Sequence, residues 1–398
     1  MAKDFSCVGS TECRLGEYIS IRTGRLDANA AETDGEYPFF TCAREISRIN
    51  SWAFDCECVL VAGNCTPHVS YYNGKFNAYQ RVYIIESNDP GRLSTKYLYY
   101  FFKEYMALAI DKQHGAIEKF FCLSDFTEIK ISLPDLPTQL RIAGILGSLD
   151  EKIELNRKKI AELEALAKTI YDYWFVQFDF PDKNGKPYYS SGGKMVWNER
   201  LKREVPEGWE VGTIHSICDL LVGGTPSKKV SDYWNGSIPF WGPTDCSDSI
   251  FQFHTAEQIT DSGFAHCSSD MIPENSTVIT ARGSIGKVAM VGVKMAMNQS
   301  CFAFHSNDGE DVFLYYLAKQ LVNHLKQTST GSVFNAFVSS DLKNVILSLG
   351  NKSVRHLYSQ IADGVFMQIK TLVQQINELI NLRDTLLPLL MNGQVVVK

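Results

Sequence analysis

The sequence predicts an α+β protein of pseudo-twofold plan. Two mixed α/β globular units are joined by two long helices that pair as an antiparallel coiled coil. Three observations carry this reading: an internal duplication, a heptad seam after each globular stretch, and strand-like runs within those stretches. The duplication has a constant offset of 216 residues. Tyr97-Leu98-Tyr99-Tyr100 returns as Phe313-Leu314-Tyr315-Tyr316, and Gly115-Ala116-Ile117 as Gly331-Ser332-Val333. Ser124-Asp125-Phe126 returns as Ser340-Asp341-Leu342, and Ile131-Ser132-Leu133 as Leu347-Ser348-Leu349, so no insertion separates the pairs. Two copies are too few for a solenoid or propeller, which bury a core by stacking three or more units. They suggest a protein built to engage two similar targets at once.

The first globular unit takes residues 1–136. Cys58-Val59-Leu60-Val61-Ala62 and Gln80-Arg81-Val82-Tyr83-Ile84-Ile85 are apolar, aromatic-rich runs bounded by turn residues, and read as strands. A helix is predicted from Thr95 to about Ile110, with its counterpart from about Val312 to Leu325. Pro137 then introduces a long helix over 137–175. Steps of seven give Ile142, Leu149, Asn156, Leu163 and Ile170; the interleaved set gives Leu146, Ile153, Ile160, Ala167 and Trp174. An a/d seam held for over four heptads argues for a coiled-coil helix.

A polar connector over 176–205, with Gly192-Gly193, leads into Val205-Pro206-Glu207-Gly208-Trp209 and the second globular unit, 206–352. Strands are expected at Ser276 to Thr280 and Lys287 to Val293. The second long helix, 353–391, repeats the seam: Tyr358, Val365, Leu372, Leu379 and Leu386, interleaved with Ala362, Ile369, Ile376, Arg383 and Leu390. Arg383 must snorkel or lie near an end.

Chain order is globule, helix, globule, helix. A twofold relation between the halves therefore makes the helices antiparallel, with about 35 residues spanning on the order of 50 Å at about 1.5 Å per residue. Intramolecular pairing satisfies both seams without a second chain; homodimerisation through each helix is the alternative. Asn156 at a core position either specifies register or is a polar residue tolerated at a thin spot.

Composition narrows the function. Net charge is −6, which argues against a small, uniformly basic nucleic-acid binder but leaves room for a local positive face. Eleven cysteines, with no CxxC pair, read as free thiols in a reducing cytoplasm rather than zinc ligands. No signal peptide and no apolar run of about 18 residues is found, so a cytoplasmic protein without membrane contact is expected. There is no Pro-Pro dipeptide, and so no amino-methyltransferase (Asn/Asp/Ser)-Pro-Pro-aromatic motif. Gly283-Ser284-Ile285-Gly286-Lys287 has the wrong spacing for a phosphate-binding loop, and neither HExxH nor GxSxG occurs. The eight histidines form no ligand-like cluster. The chain does not read as an enzyme, and it is expected to bind no cofactor or metal.

The helical segments carry a likeness. Leu133-Pro134-Asp135-Leu136-Pro137-Thr138-Gln139 precedes Ile145-Leu146-Gly147-Ser148-Leu149-Asp150-Glu151-Lys152-Ile153-Glu154-Leu155-Asn156. Then come Trp174-Phe175-Val176-Gln177-Phe178, the Tyr188 to Trp197 connector, and Pro206-Glu207-Gly208-Trp209-Glu210. This order closely resembles the DNA-specificity subunit of type I restriction-modification systems. The resemblance extends over essentially the whole chain, to Leu386–Val395. It is specific in the helices and weaker in the globular units, which match in layout and in turns such as Arg282 to Lys287. The second copy departs where Pro134 to Gln139 becomes Gly350 to Arg355, so the second junction is expected to be shaped differently.

The resemblance implies that each globule is a target-recognition domain reading one half of a split duplex-DNA site. It implies that the helices hold the halves apart and dock two methyltransferase subunits, which carry the S-adenosylmethionine, and that the assembly recruits the restriction/translocase subunit. This chain would supply specificity without catalysis. Base reading needs donors and acceptors at base edges, while lysines and arginines hold phosphates. In the first globule the candidates are Gly63-Asn64-Cys65-Thr66 and Tyr71-Tyr72-Asn73-Gly74-Lys75, centred on Asn64, Thr66, Tyr71, Tyr72 and Lys75, with Gln80, Arg81, Lys112, Gln113 and His114. In the second they are Lys228, Lys229, Arg282, Ser284, Lys287, Asn298 and Gln299, with Tyr79-Gln80 aligning with Asn298-Gln299. Each is otherwise a solvated loop residue or turn former. Two other readings stay open: a coiled-coil scaffold that binds two proteins and no DNA, and a DNA reader paired with a fused restriction-methylation subunit.

Overall fold

The computed structural model describes residues 11–62, 68–111, 122–328 and 336–395. The chain divides into two compact units, residues 1–154 with 378–398 and residues 155–377, the division falling within both long helices.

The first unit contains β1 (Thr11–Arg14), β2 (Ile19–Thr23), β3 (Tyr37–Phe40), β4 (Ser47–Ile49), β5 (Phe54–Ala62), β6 (Val69–Ala78) and β7 (Val82–Ser87), then α1 (Thr95–Asp111), α2 (Leu123–Thr127) and β8 (Lys130–Leu133). Six strands form one sheet in the order β2-β7-β5-β6-β3-β4, antiparallel except for the parallel pair β3–β6. Side chains alternate across a strand, and both faces of this sheet are covered. Val59, Val61 and Ile85 meet Tyr97, Leu98, Phe101 and Phe102 of α1. Cys58, Leu60 and Ile84 pack with Phe40, Phe54 and Phe76 on the other side. That double burial is why Cys58–Ala62 reads as an unbroken apolar run. The predicted strand from Gln80 begins only at Val82, because Gln80 and Arg81 form the turn after β6.

The long helix α3 (Leu136–Tyr171) continues through a single π turn, Asp172–Val176. The connector contains a hairpin, β9 (Met195–Asn198) with β10 (Arg203–Pro206). It is more than a polar link: Phe180 stacks on Tyr188 and on Trp209, with ring centroids 4.7 and 5.1 Å apart. The sequence reading missed this because only three rings in a polar stretch, Phe178, Phe180 and Tyr188, carry it.

The second unit repeats the first. Its strands are β11 (Val211–Gly212), β12 (Cys218–Val222), β13 (Trp234–Trp241), β14 (Phe251–Gln252) and β15 (Glu257–Ile259). After α4 (Asp261–Ala265) come β16 (Thr277–Thr280), β17 (Val288–Val291), β18 (Ala296–Met297) and β19 (Cys301–Ser306). The helices α5 (Asp311–Thr328) and α6 (Ser339–Asn344), strand β20 (Leu347–Ser348) and helix α7 (Lys352–Met391) complete the chain. The sheets run β12-β19-β16-β17-β14 and β15-β13-β18. The β13–β18 pair is parallel, as β3–β6 is, so the single strand β6 corresponds to two shorter strands here.

Within each unit the helix segments pack antiparallel. In the second, Asn156 Nδ2 donates to Gln375 Oε1 at 3.3 Å and Tyr358 OH to the Ala167 carbonyl at 3.3 Å, so α7 descends as α3 rises. In the first, Ile142 and Leu146 cluster with Leu387, Leu390 and Met391, while Asp150 meets Arg383. The heptad positions face inward: Ile142, Leu146, Ile153, Ala167, Ile369, Leu372 and Ile376 are buried, and Leu149, Ile160, Leu163, Ile170, Val365, Leu379 and Leu386 half-buried. The stripe is wider than two positions per heptad, since Tyr171, Phe366, Val373 and Leu387 are buried as well. Arg383 neither snorkels nor sits at an end. Its NH1 reaches Asp150 Oδ1 at 2.8 Å, and Tyr100 OH donates to the other oxygen at 2.9 Å.

The junction before each long helix is built by one buried side chain, differently in each copy. Gln139 Nε2 donates to the carbonyls of Arg92 and Pro134, and its Oε1 accepts from Ser94 N. The residue 216 further on is Arg355, which donates to the Gly350 carbonyl at 2.9 Å, Glu210 at 2.9 Å and Glu310 at 2.7 Å. The two copies thus reach one connection with a neutral amide and with a buried ion pair.

One pH dependence arises from α7. Desolvation, then the neighbouring Asp311 carboxylate, raises the Asp363 carboxyl to about 6. Asp311 is itself raised by burial. A carboxyl whose affinity for protons is greater folded than unfolded contributes stability that is lost as pH rises from its ordinary value through its folded one. Wild-type resistance to urea is therefore expected to gain less than that of Asp363→Asn between pH 4 and 6. Parallel curves for the two proteins would reject the assignment.

Candidate nucleic-acid interface

In the second unit five backbone segments converge at one end of the sheet. The Gly223-Gly224-Thr225 loop leaving β12 lies against the turn Asn298-Gln299-Ser300: Gly224 N donates to the Met297 carbonyl at 3.0 Å. A Cβ on Gly223 would meet the Asn298 oxygen at 1.8 Å, so only glycine allows the approach. Asn298 N donates to the Trp241 carbonyl at 3.0 Å, Ala281 N to the Ser300 carbonyl at 2.8 Å, and Phe337 N to the Ala281 carbonyl at 2.9 Å. Between β16 and β17 the chain turns through Gly283 and Gly286, both at φ of 74°. Thr280 holds this loop, its hydroxyl bonding the Ser284 carbonyl and accepting from Lys287 N.

The structure brings Arg282, Ser284, Lys287, Asn298 and Gln299 into this one cluster. Arg282, Ser284 and Gln299 are exposed. Lys287 Nζ reaches across to the Cys246 carbonyl at 3.0 Å, tying in the segment after β13. Asn298 is half-buried and its Oδ1 accepts from Ser300 N at 2.9 Å, so it shapes the turn. Lys228 and Lys229 are exposed just beyond Thr225, and Lys228 pairs with Glu257 at 2.8 Å.

The first unit has the same frame. Phe39 and Phe40 pair with Asn77 and Ala78, as Phe240 and Trp241 pair with Ala296 and Met297. Tyr79 N donates to the Phe40 carbonyl at 2.8 Å, as Asn298 N does to Trp241. Gly24 directly follows β2 as Gly223 follows β12, and a Cβ there would meet the Ala78 oxygen at 2.1 Å. Gln80 and Gln299 are therefore structural equivalents, as the sequence alignment of Tyr79-Gln80 with Asn298-Gln299 predicted. Arg81 is exposed on the same turn.

The remaining first-unit candidates do not share one surface. Tyr71 faces α1, its ring 6.1 Å from Tyr99 and its hydroxyl 2.8 Å from Glu57. Tyr72, its neighbour on β6, points to the opposite face against Phe40 and Phe76. Lys75 is exposed with its Nζ 4.7 Å over the Trp52 ring. Asn64, Thr66, Lys112, Gln113 and His114 lie outside the described residues. Sequence reasoning missed Asp27 and Thr225, which orient the two glutamines, and the exposed Trp52. The only local signal was a glycine directly after each first sheet strand, too common to single out. Among the described residues no group of three His, Cys, Asp or Glu could hold a metal ion, and no helix is long and apolar enough to cross a membrane.

The two units thus carry loop clusters of one design on duplicated sheets. Residues 8–165 and 206–382 match the type I restriction modification DNA specificity domain. The chain belongs to the type I restriction-modification specificity subunit family. The specificity subunit is 41% identical over 305 residues to the EcoDI specificity subunit of Escherichia coli, a match covering 67% of each chain. It is 23% identical over 345 residues to the HindI specificity subunit of Haemophilus influenzae, covering 73% of this chain and 74% of that one. The crystal structure of a type I restriction-modification S subunit from M. genitalium superposes with a TM-score of 0.62 over 96% of this chain and 95% of that chain, at 16% identity. That likeness shows a shared fold. The specificity subunit has a non-catalytic, targeting role.

Proposed function

We propose that each globular unit reads one half of a bipartite DNA site and that the long helices dock two methyltransferase subunits. The S-adenosylmethionine belongs to those subunits, which act with the restriction/translocase subunits on cytoplasmic DNA. The observation that carries this reading is the equivalence of the two loop clusters. The backbone anchors of the Gln80 and Gln299 turns are the same, while the side chains around them differ, as two readers of unlike sequences require. The outer face of α3 supports docking: Leu155 and Leu166, three turns apart on one side, are exposed although apolar.

The test is methylome mapping of cells expressing this chain with its methyltransferase partner. One asymmetric bipartite motif that depends on this chain is expected. Methylation unchanged by deleting the chain would reject the proposal. The basic residues give a second test, because phosphate contacts release counterions. Reversing charge at Arg282 and Lys287 together is expected to weaken duplex binding by about tenfold or more near physiological salt and to flatten its salt dependence. Unchanged affinity at low salt would remove both from the interface.

A further inference from the structure

Resting on the loop clusters as the DNA interface, we infer that Gln80 and Gln299 read one base each with opposite hydrogen-bonding polarity. The two side chains are exposed at equivalent turns, but their partners differ in kind. Gln80 Nε2 donates to Asp27 Oδ1 at 2.8 Å. A carboxylate only accepts, so Asp27 fixes the amide NH2 toward itself and turns Oε1 away. In the second unit the Thr225 hydroxyl donates to Gln299 Oε1. With the hydroxyl as donor, that contact occupies the carbonyl and leaves the NH2 free. The two amides, one chemical group on one backbone frame, therefore present an acceptor in the first unit and a donor in the second.

The major groove distinguishes these two readers. An outward acceptor suits the exocyclic amines of adenine N6 or cytosine N4; an outward donor suits the keto oxygens of guanine O6 or thymine O4. Asp27 and Thr225 are positioning residues: they touch no base and act by setting which edge of the glutamine is free. Asp27 sits three residues beyond Gly24 and Thr225 two beyond Gly223, so the same loop supplies the orienting group in both copies.

The test reverses the polarity of the orienting groups in the full chain assembled with its methyltransferase partner, reading the methylated motif and, with purified complex, the sequences selected from random duplexes. Asp27→Lys, which places a donor-only group beside Gln80, is expected to change one position of the first half-site from an amino base to a keto base, with relative preference shifting about tenfold. Thr225→Asp is expected to do the reverse in the second half-site. Gln80→Ala should leave that first-half position indifferent. The unaltered half-site of each variant reports folding and assembly. Retention of the wild-type base, or indifference instead of a switch in Asp27→Lys and Thr225→Asp, would overturn the polarity assignment. A wild-type complex that yields no bipartite motif would instead remove the DNA-reading function beneath it.

Discussion

Inserting four residues into α3 between Asn156 and Leu163 is expected to lengthen the unread spacer of the recognition sequence and to leave both half-sites unchanged. A helix rises about 1.5 Å per residue, so four residues add about 6 Å and slightly more than one turn. B-DNA advances about 34 Å per turn of 10 to 10.5 base pairs, so the gain is about one to two base pairs. The insertion site lies where α3 pairs with α7 through Asn156 and Gln375. A matching insertion between Gln368 and Gln375 keeps the seams opposed and should restore any stability lost. Sequencing of the methylated motif reads the outcome directly. An unchanged spacer would refute the proposal that the helices set the distance between readers, while a changed half-site would mean that the loops had been disturbed.

Arg355→Ala is expected to destabilise the second unit by about 3–5 kcal/mol, the cost of leaving a buried charge without its partner. Both side chains of the Arg355–Glu310 pair are 3% exposed, whereas Glu210 is 49% exposed and can be rehydrated. The first copy supplies the repair. Gln139 stands where Arg355 stands, and Ser94 lies 216 residues before Glu310. Arg355→Gln with Glu310→Ser therefore recreates the neutral junction, and most of the lost stability should return. Urea unfolding of the three proteins checks this. Equal stability of wild type and Arg355→Ala would show that the pair is hydrated in solution, and a double variant no better than the single would show that the junctions are not interchangeable.

The division between what was legible in the sequence and what was not follows the range of the interactions. The helices and their seam could be read because heptad periodicity is written in consecutive residues: Ile142 to Ile170 and Val365 to Leu386 face inward as that period requires. The duplication could be read because a constant offset survives divergence. Absent catalytic motifs could be read because each is a short string. The alignment of Tyr79-Gln80 with Asn298-Gln299 was also visible, but that each glutamine follows a strand at the same distance was not, since Gln80 read as the start of a strand.

Arg383 could not be placed from its own segment, because its partner Asp150 lies on the other long helix. The exchange of Gln139 for Arg355 acquired meaning only beside Glu310 and Glu210, 45 and 145 residues away. Tyr71 and Tyr72, adjacent in the chain, are sent to opposite faces by the pleat of β6, so proximity in sequence misled. By itself the sequence determined the repeated frame, because period and offset are properties of neighbouring positions. The tertiary structure decided which edge of each glutamine faces outward, because that depends on hydrogen bonds closed by loops 53 and 74 residues away.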